Sequence, residues 1–373
     1  MTAEGGVRYL IWKEDGNSRH LPTPIWAQRL SADGTRLVGE RHQLLRNEAQ
    51  WEGPLIEGPF ILQRNGWLYM FYSAGACCGR SCDYRLGVAR ARRLLGPWER
   101  NPANPILSGN DAWKCPGHGT VVTTASGRSY LLYHAYRPGD FEYSGRQGLL
   151  DEVTWGDDAW PMVNGGRGPS ANAAAPLGVP EKDPAAIGDE FEEPRLSPAW
   201  QWPWNHPPVR TLREGVLTLT VADADAANAA GTVIARPTTA GNYVAVTRLF
   251  TSTLQSGGSA GLAAYGNGEN ALGISVASGR ATVWRREKAV QSTMGAANLP
   301  PTDAVLLRLE ASDGRRFRFA ASADEGRTWQ PVGEEAEGGY LPPWDLGVRV
   351  ALVAGGPAGT RARFDWLHLD ATR

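Results

Sequence analysis

Glu57 opens an apolar stretch, Glu57-Gly58-Pro59-Phe60-Ile61-Leu62, and His118 opens another, His118-Gly119-Thr120-Val121-Val122. A carboxylate set among apolar walls can keep a proton near neutral pH, because burial disfavours its charged form. That is what a general acid needs. The four cysteines, Cys77, Cys78, Cys82 and Cys115, are the other residues with chemistry of their own. Their spacing does not fit the paired Cys-x-x-Cys ligands of a zinc site. One or two disulfides pinning loops suit them, in an oxidising compartment. The alternative is four free thiols. A bridge from the 77–82 loop to Cys115 and a pairing within the loop both remain open, because pairing cannot be deduced from spacing.

The elements that carry these residues repeat. Gly6-Val7-Arg8-Tyr9-Leu10-Ile11-Trp12, Gly66-Trp67-Leu68-Tyr69-Met70-Phe71-Tyr72 and Gly127-Arg128-Ser129-Tyr130-Leu131-Leu132-Tyr133 resemble one another, with their tyrosines 60 and 61 residues apart. A near-constant period of β-patterned strands predicts a propeller with one blade per repeat. Glu57 lies twelve residues before Tyr69, and His118 twelve before Tyr130. Both therefore begin inner strands and should face each other across the mouth of the channel. The same step back from Tyr9 falls before Met1, so the first blade is expected to lack its inner strand. Residues 1 to about 170 should then form two complete four-stranded blades and part of a third.

No long stretch shows a helical apolar period, and short alternating runs between turn residues predict an all-β chain. The formal charge of −1 over 373 residues suggests neither a nucleic-acid nor a membrane partner. The opening residues lack the basic and apolar regions of a signal peptide. The expected domains are a propeller over 1–172, a small-residue linker over 173–187 and a β-sandwich of jelly-roll or concanavalin-A-like type over 188–373. Strands such as Gly215-Val216-Leu217-Thr218-Leu219-Thr220-Val221 carry that last expectation. Ser322-Ala323-Asp324-Glu325-Gly326-Arg327-Thr328-Trp329 fits the Asp-box pattern found in sialidases. A single copy is read as a hairpin staple, in which Ser and Asp bond turn amides.

Residues 7–170 resemble the C-terminal blades of glycoside hydrolase family 43, a family of five-bladed propellers. The ordered matches are residues 9–17 (YLIWKEDGN), 24–34, 51–60 (WEGPLIEGPF), 69–74, 86–91, 96–98, 116–122, 133–136, 153–155 and 160–161. The second half resembles the concanavalin-A-like sandwich appended to family members. The resemblance implies inverting hydrolysis of arabinofuranosides, xylosides or related plant polysaccharide linkages, of the α-L-arabinofuranosidase or β-xylosidase type. It implies Glu57, at the head of Glu-Gly-Pro, as the general acid. His118 matches a histidine that lies near a calcium or other channel ion in arabinan-cleaving relatives, and so is a candidate contact for substrate or ion. Arg146 resembles an arginine that contacts the sugar. No cofactor is required, calcium is a candidate ion, and the partner is an arabinose- or xylose-containing oligo- or polysaccharide. A secreted, extracellular full-length form is expected.

The family's base aspartate and pKa-tuning aspartate come from blades that precede Tyr9, so this stretch names an acid and no base. Asp15 follows the outgoing strand and is expected far from the channel. Glu52, five residues before Glu57, could reach the rim. This chain alone is therefore expected to hydrolyse poorly. The competing function is a non-catalytic carbohydrate-binding protein, and a sialidase is a distant third.

Overall fold

The computed structural model describes residues 1, 4–139, 141–176, 186–222, 228–238 and 240–372. The chain divides into two compact units, one of Met1–Pro138 with Arg146–Val179, the other of Gly139–Gly145 with Pro180–Arg373. The sequence placed a single boundary at 173–187. The packing adds an exchange that sequence could not show, since Gly139–Gly145 belongs to the second unit. Among the described residues no helix is long and apolar enough to cross a membrane.

The first unit holds three antiparallel sheets. β1 (Tyr9–Lys13), β2 (Ile25–Leu30) and β3 (Leu37–Leu45) form a three-stranded sheet. β4 (Ile56–Arg64), β5 (Trp67–Ala74), β6 (Arg85–Ala91) and β7 (Glu99–Arg100) form a four-stranded one. The third, also four-stranded, consists of β8 (Lys114–Thr123), β9 (Ser129–Tyr136), β10 (Arg146–Trp155) and β11 (Pro161–Val163). Two full blades and a three-stranded one are what the repeat predicts. Asn65 and Gly66 join β4 to β5 with φ of 48° and 73°. Two positive φ values in a two-residue loop make the turn whose twist matches a hairpin.

β5 shows what holds these sheets together. It is buried on both faces, so its residues read as a continuous apolar run rather than an alternation. Tyr69 and Phe71 pack with Val121, Leu131 and Tyr133 of the third sheet. Met70, Tyr72 and Ala74 pack with Ile25, Ala27 and Leu45 of the first. Each such large side chain contributes about 1.5–3 kcal/mol on burial. β4 and β8 both carry register shifts near their starts, between Glu57 and Phe60 and between Lys114 and Thr120. Such bulges re-aim side chains at the rim of a sheet.

The second unit is a two-sheet sandwich. One sheet centres on the strands Arg361–Ala371, Tyr243–Phe250 and Ala304–Ser312; the other runs from Thr232–Pro237 to Val290–Asn298. Tyr243, Ala245, Thr247 and Leu249 point inward while the residues between them do not. Their shared core includes Leu307, Leu309, Leu352 and Phe364. The Asp-box segment is a local staple. Asp324 accepts from Ser322 Oγ at 2.7 Å and from the Thr328 amide and hydroxyl at 2.9 and 2.6 Å. Those bonds, led by that from the Thr328 hydroxyl, lower the Asp324 pKa to about 2.

Candidate active site

Glu57 sits at the start of β4, paired with Ser73 of β5, and its side chain is 19% exposed. Tyr84, which ends the β5–β6 loop, donates to Oε1 at 2.8 Å. Lys13, the last residue of β1, donates to Oε2 at 2.9 Å. Burial, and then the charge of Glu57, push the Tyr84 phenol far above its ordinary pKa, so it remains a donor. Lys13 Nζ also lies 3.5 Å from Asp15 Oδ1. Asp15 is thus at the mouth, against the expectation of a distant position. The Lys13 ammonium gathers both carboxylates.

His118 reaches the same place from β8, with φ of 56°, at one of the bulges. Its backbone N–H donates to Ser73 Oγ at 2.7 Å. Its ring lies so close over Gly58 that a β-carbon there would meet ring atoms at 3.2–3.3 Å. This is the physical need for glycine after Glu57, reinforced by a Gly58 φ of +60°. Behind His118 stands His134 of β9, with ring centroids 6.4 Å apart. His134 stacks on Tyr84 at 5.8 Å and lies 3.5 Å from an Arg146 nitrogen. Burial, then Arg146 and His118, lower the His134 pKa to about 4, against the pull of Glu57, so the imidazole is neutral at pH 7.

The structure therefore links Glu57, His118 and Arg146 through Tyr84 and His134, with Lys13 on Glu57 from β1. Sequence reasoning missed the last three. His134 and Lys13 lay within the matched stretches 133–136 and 9–17 already singled out, and Tyr84 two residues past Cys82. Glu52 is elsewhere and fully buried. It accepts from Arg100 Nε and the Tyr72 hydroxyl, both at 2.7 Å, and from the amides of Glu48 and Ala49. Burial alone would raise its pKa, but Arg100 and these bonds hold it below the ordinary value. It braces the loop before β4 and leaves the rim to Glu57.

Both disulfide arrangements foreseen as alternatives are present together: Cys77–Cys78 within the loop and Cys82–Cys115 between the second and third sheets. Among the described residues no group of three or more His, Cys, Asp or Glu is placed to hold a metal.

The sequence pattern described as Glycosyl hydrolases family 43 matches residues 1–161, and that of the Beta xylosidase C-terminal Concanavalin A-like domain matches residues 188–370. Xylosidase/arabinosidase 43B of Humicola insolens is 32% identical over 208 residues, 52% of this chain and 37% of that protein. The extracellular exo-alpha-(1->5)-L-arabinofuranosidase ArbA of Cellvibrio japonicus is 30% identical over 32% of this chain and 37% of its own. The chain spans well under half the length of these curated relatives. The crystal structure of the GH43 protein BlXynB from Bacillus licheniformis superimposes with a TM-score of 0.80 at 25% identity, covering 98% of this chain and 74% of that one.

Proposed function

This chain joins a family 43 glycosyl hydrolase domain to a β-xylosidase-type concanavalin A-like domain, and we propose that it serves hydrolysis of arabinofuranosyl or xylosyl linkages, with Glu57 as the acid. The observation that carries this reading is the convergence of Glu57, His118 and Arg146 at one mouth. Glu57 would protonate the glycosidic oxygen as the bond to the sugar breaks, with inversion when a water enters from the opposite face and gives its proton to a base carboxylate, the aspartate that the family resemblance places in blades before Tyr9. Tyr84 holds Oε1 in place, and Oε2 faces the substrate once the Lys13 ammonium leaves it. His118 and Arg146 supply donors for the sugar hydroxyls. The substrate would be an arabinose- or xylose-containing oligo- or polysaccharide, as the names of the relatives suggest. Two disulfides and a relative named extracellular support a secreted setting.

Lys13 favours a second reading. Its ammonium occupies Oε2, the atom that must face the substrate. While that bond persists, the mouth can bind a sugar without cleaving it. The test compares wild type with Glu57→Gln on a natural disaccharide and on an aryl glycoside with a good leaving group. In a chain extended upstream by about two blades, which would carry the base, hydrolysis of the disaccharide should fall by about 10²–10⁴ on this substitution, whereas this chain alone should hydrolyse it poorly with or without Glu57. The aryl glycoside should suffer less, since its leaving group needs less protonation. Equal rates for both extended proteins would remove Glu57 from the chemistry, and binding without turnover by the extended wild type would favour the second reading.

A further inference from the structure

We propose that the Cys77–Cys78 disulfide is a sugar-contacting surface that walls the position of the leaving-group sugar beside Glu57. The inference rests on Glu57 being the acid. Pairing of Ser73 with Glu57 and of Ala74 with Ile56 delivers β5 to the mouth at the level of the carboxylate. The Gly75 amide then donates to the Leu55 carbonyl at 3.3 Å. Beyond it the chain closes into a loop pinned at its base. Asp83 Oδ1 accepts from the Ala76 amide at 2.6 Å, and the Asp83 amide donates to the Ala76 carbonyl at 3.1 Å. Tyr84, the next residue, returns to Glu57. Cys82, bridged to Cys115, ties the loop's returning limb to β8, three residues before His118. Cys77 and Cys78 therefore stand on the crest of a wall whose foot touches the acid and whose flank is tied to the strand of His118. Both are half-buried.

The chemistry of that crest suits a pentose. Two adjacent bridged cysteines close an eight-membered ring, which presents two sulfurs and two β-carbons and carries no side-chain hydrogen-bond donor. Such a plate has almost no rotamer freedom to lose on contact. Pentose rings carry C–H groups between their hydroxyls and can lay that face on it. The side is set by the acid. Glu57 protonates the oxygen that joins the cleaved sugar to the leaving group, so a wall rising from Glu57 flanks the leaving-group sugar.

Calorimetry on the Glu57→Gln protein, which keeps a disaccharide intact, tests this. Arabinobiose and xylobiose are compared with arabinose and xylose, before and after Cys77→Ala/Cys78→Ala. Loss of contact with the two sulfurs, comparable in area to two methylenes, should weaken disaccharide binding roughly tenfold. Monosaccharide binding should not change, whereas a bridge that merely holds the loop would affect both alike. A second measurement needs no cysteine variant. In the Glu57→Gln chain with its cysteines unchanged, the disaccharide should slow reduction of Cys77–Cys78 by a phosphine, read by mass spectrometry of the alkylated peptide, and the monosaccharide should not. Equal weakening of both sugars, no weakening, a disaccharide bound no tighter than a monosaccharide, or an unprotected bridge would each overturn the proposal. Failure of the catalytic reading shows separately, in the hydrolysis rates of Glu57→Gln.

Discussion

A single glycine hydrogen decides how closely two functional groups approach. Gly58 has φ of +60° and the His118 ring against it. Gly58→Ala should therefore strain the backbone and displace the ring together, at about 1–3 kcal/mol. Denaturant unfolding with an unchanged midpoint would refute this. His134 predicts a pH dependence. Its folded pKa of about 4 lies below the ordinary 6.5, so the folded state binds fewer protons than the unfolded one. Stability is whole above pH 6.5 and drains as pH falls toward 4, by at most about 3 kcal/mol. His134→Gln should flatten that part of the curve, and an equally steep curve would count against it. Glu57 and His118 were legible because an even repeat puts residues of equal phase at equal places. Lys13 and Tyr84 were not. Their partnership with Glu57 depends on how one sheet or loop folds over another, and no periodicity encodes that. Asp15 was misjudged for the same reason.

Among elements, the β5–β6 loop and the start of β8 form a joint held by Cys82–Cys115, 33 residues apart in sequence. Closing a loop of this length in the unfolded chain is worth about 3–4 kcal/mol in the chain-entropy view. Cys82→Ala/Cys115→Ala should lower the stability of the first unit by that order, and it should loosen Tyr84 and His118, which the joint positions. The measurement is the unfolding midpoint together with sugar affinity; a fall in neither would mean the joint is idle. Strand order within each blade was readable from alternation and turn residues, as at Asn65-Gly66. The cysteine pairing was not, because two arrangements satisfy the same spacing and here both occur.

Over the whole molecule, the sequence separated a propeller-type half from a sandwich because the phase of the apolar pattern changes after Pro176. It could not show that Gly139–Gly145 leaves the first unit, since seven residues with no pattern of their own carry no phase. One feature of the first unit bears on time rather than structure. Glu57 takes Lys13 from 44 residues behind it and Tyr84 from 27 ahead, across two sheets, while His118 and Arg146 come from a third. Hairpins such as β4–β5 close locally and fast, whereas contacts of long sequence separation must first overcome loop-closure entropy. On dilution from denaturant, with the disulfides intact, far-UV circular dichroism should recover first and sugar binding later. If the two recover at one rate, the mouth assembles with its strands, and its long-range contacts belong to the folding nucleus itself.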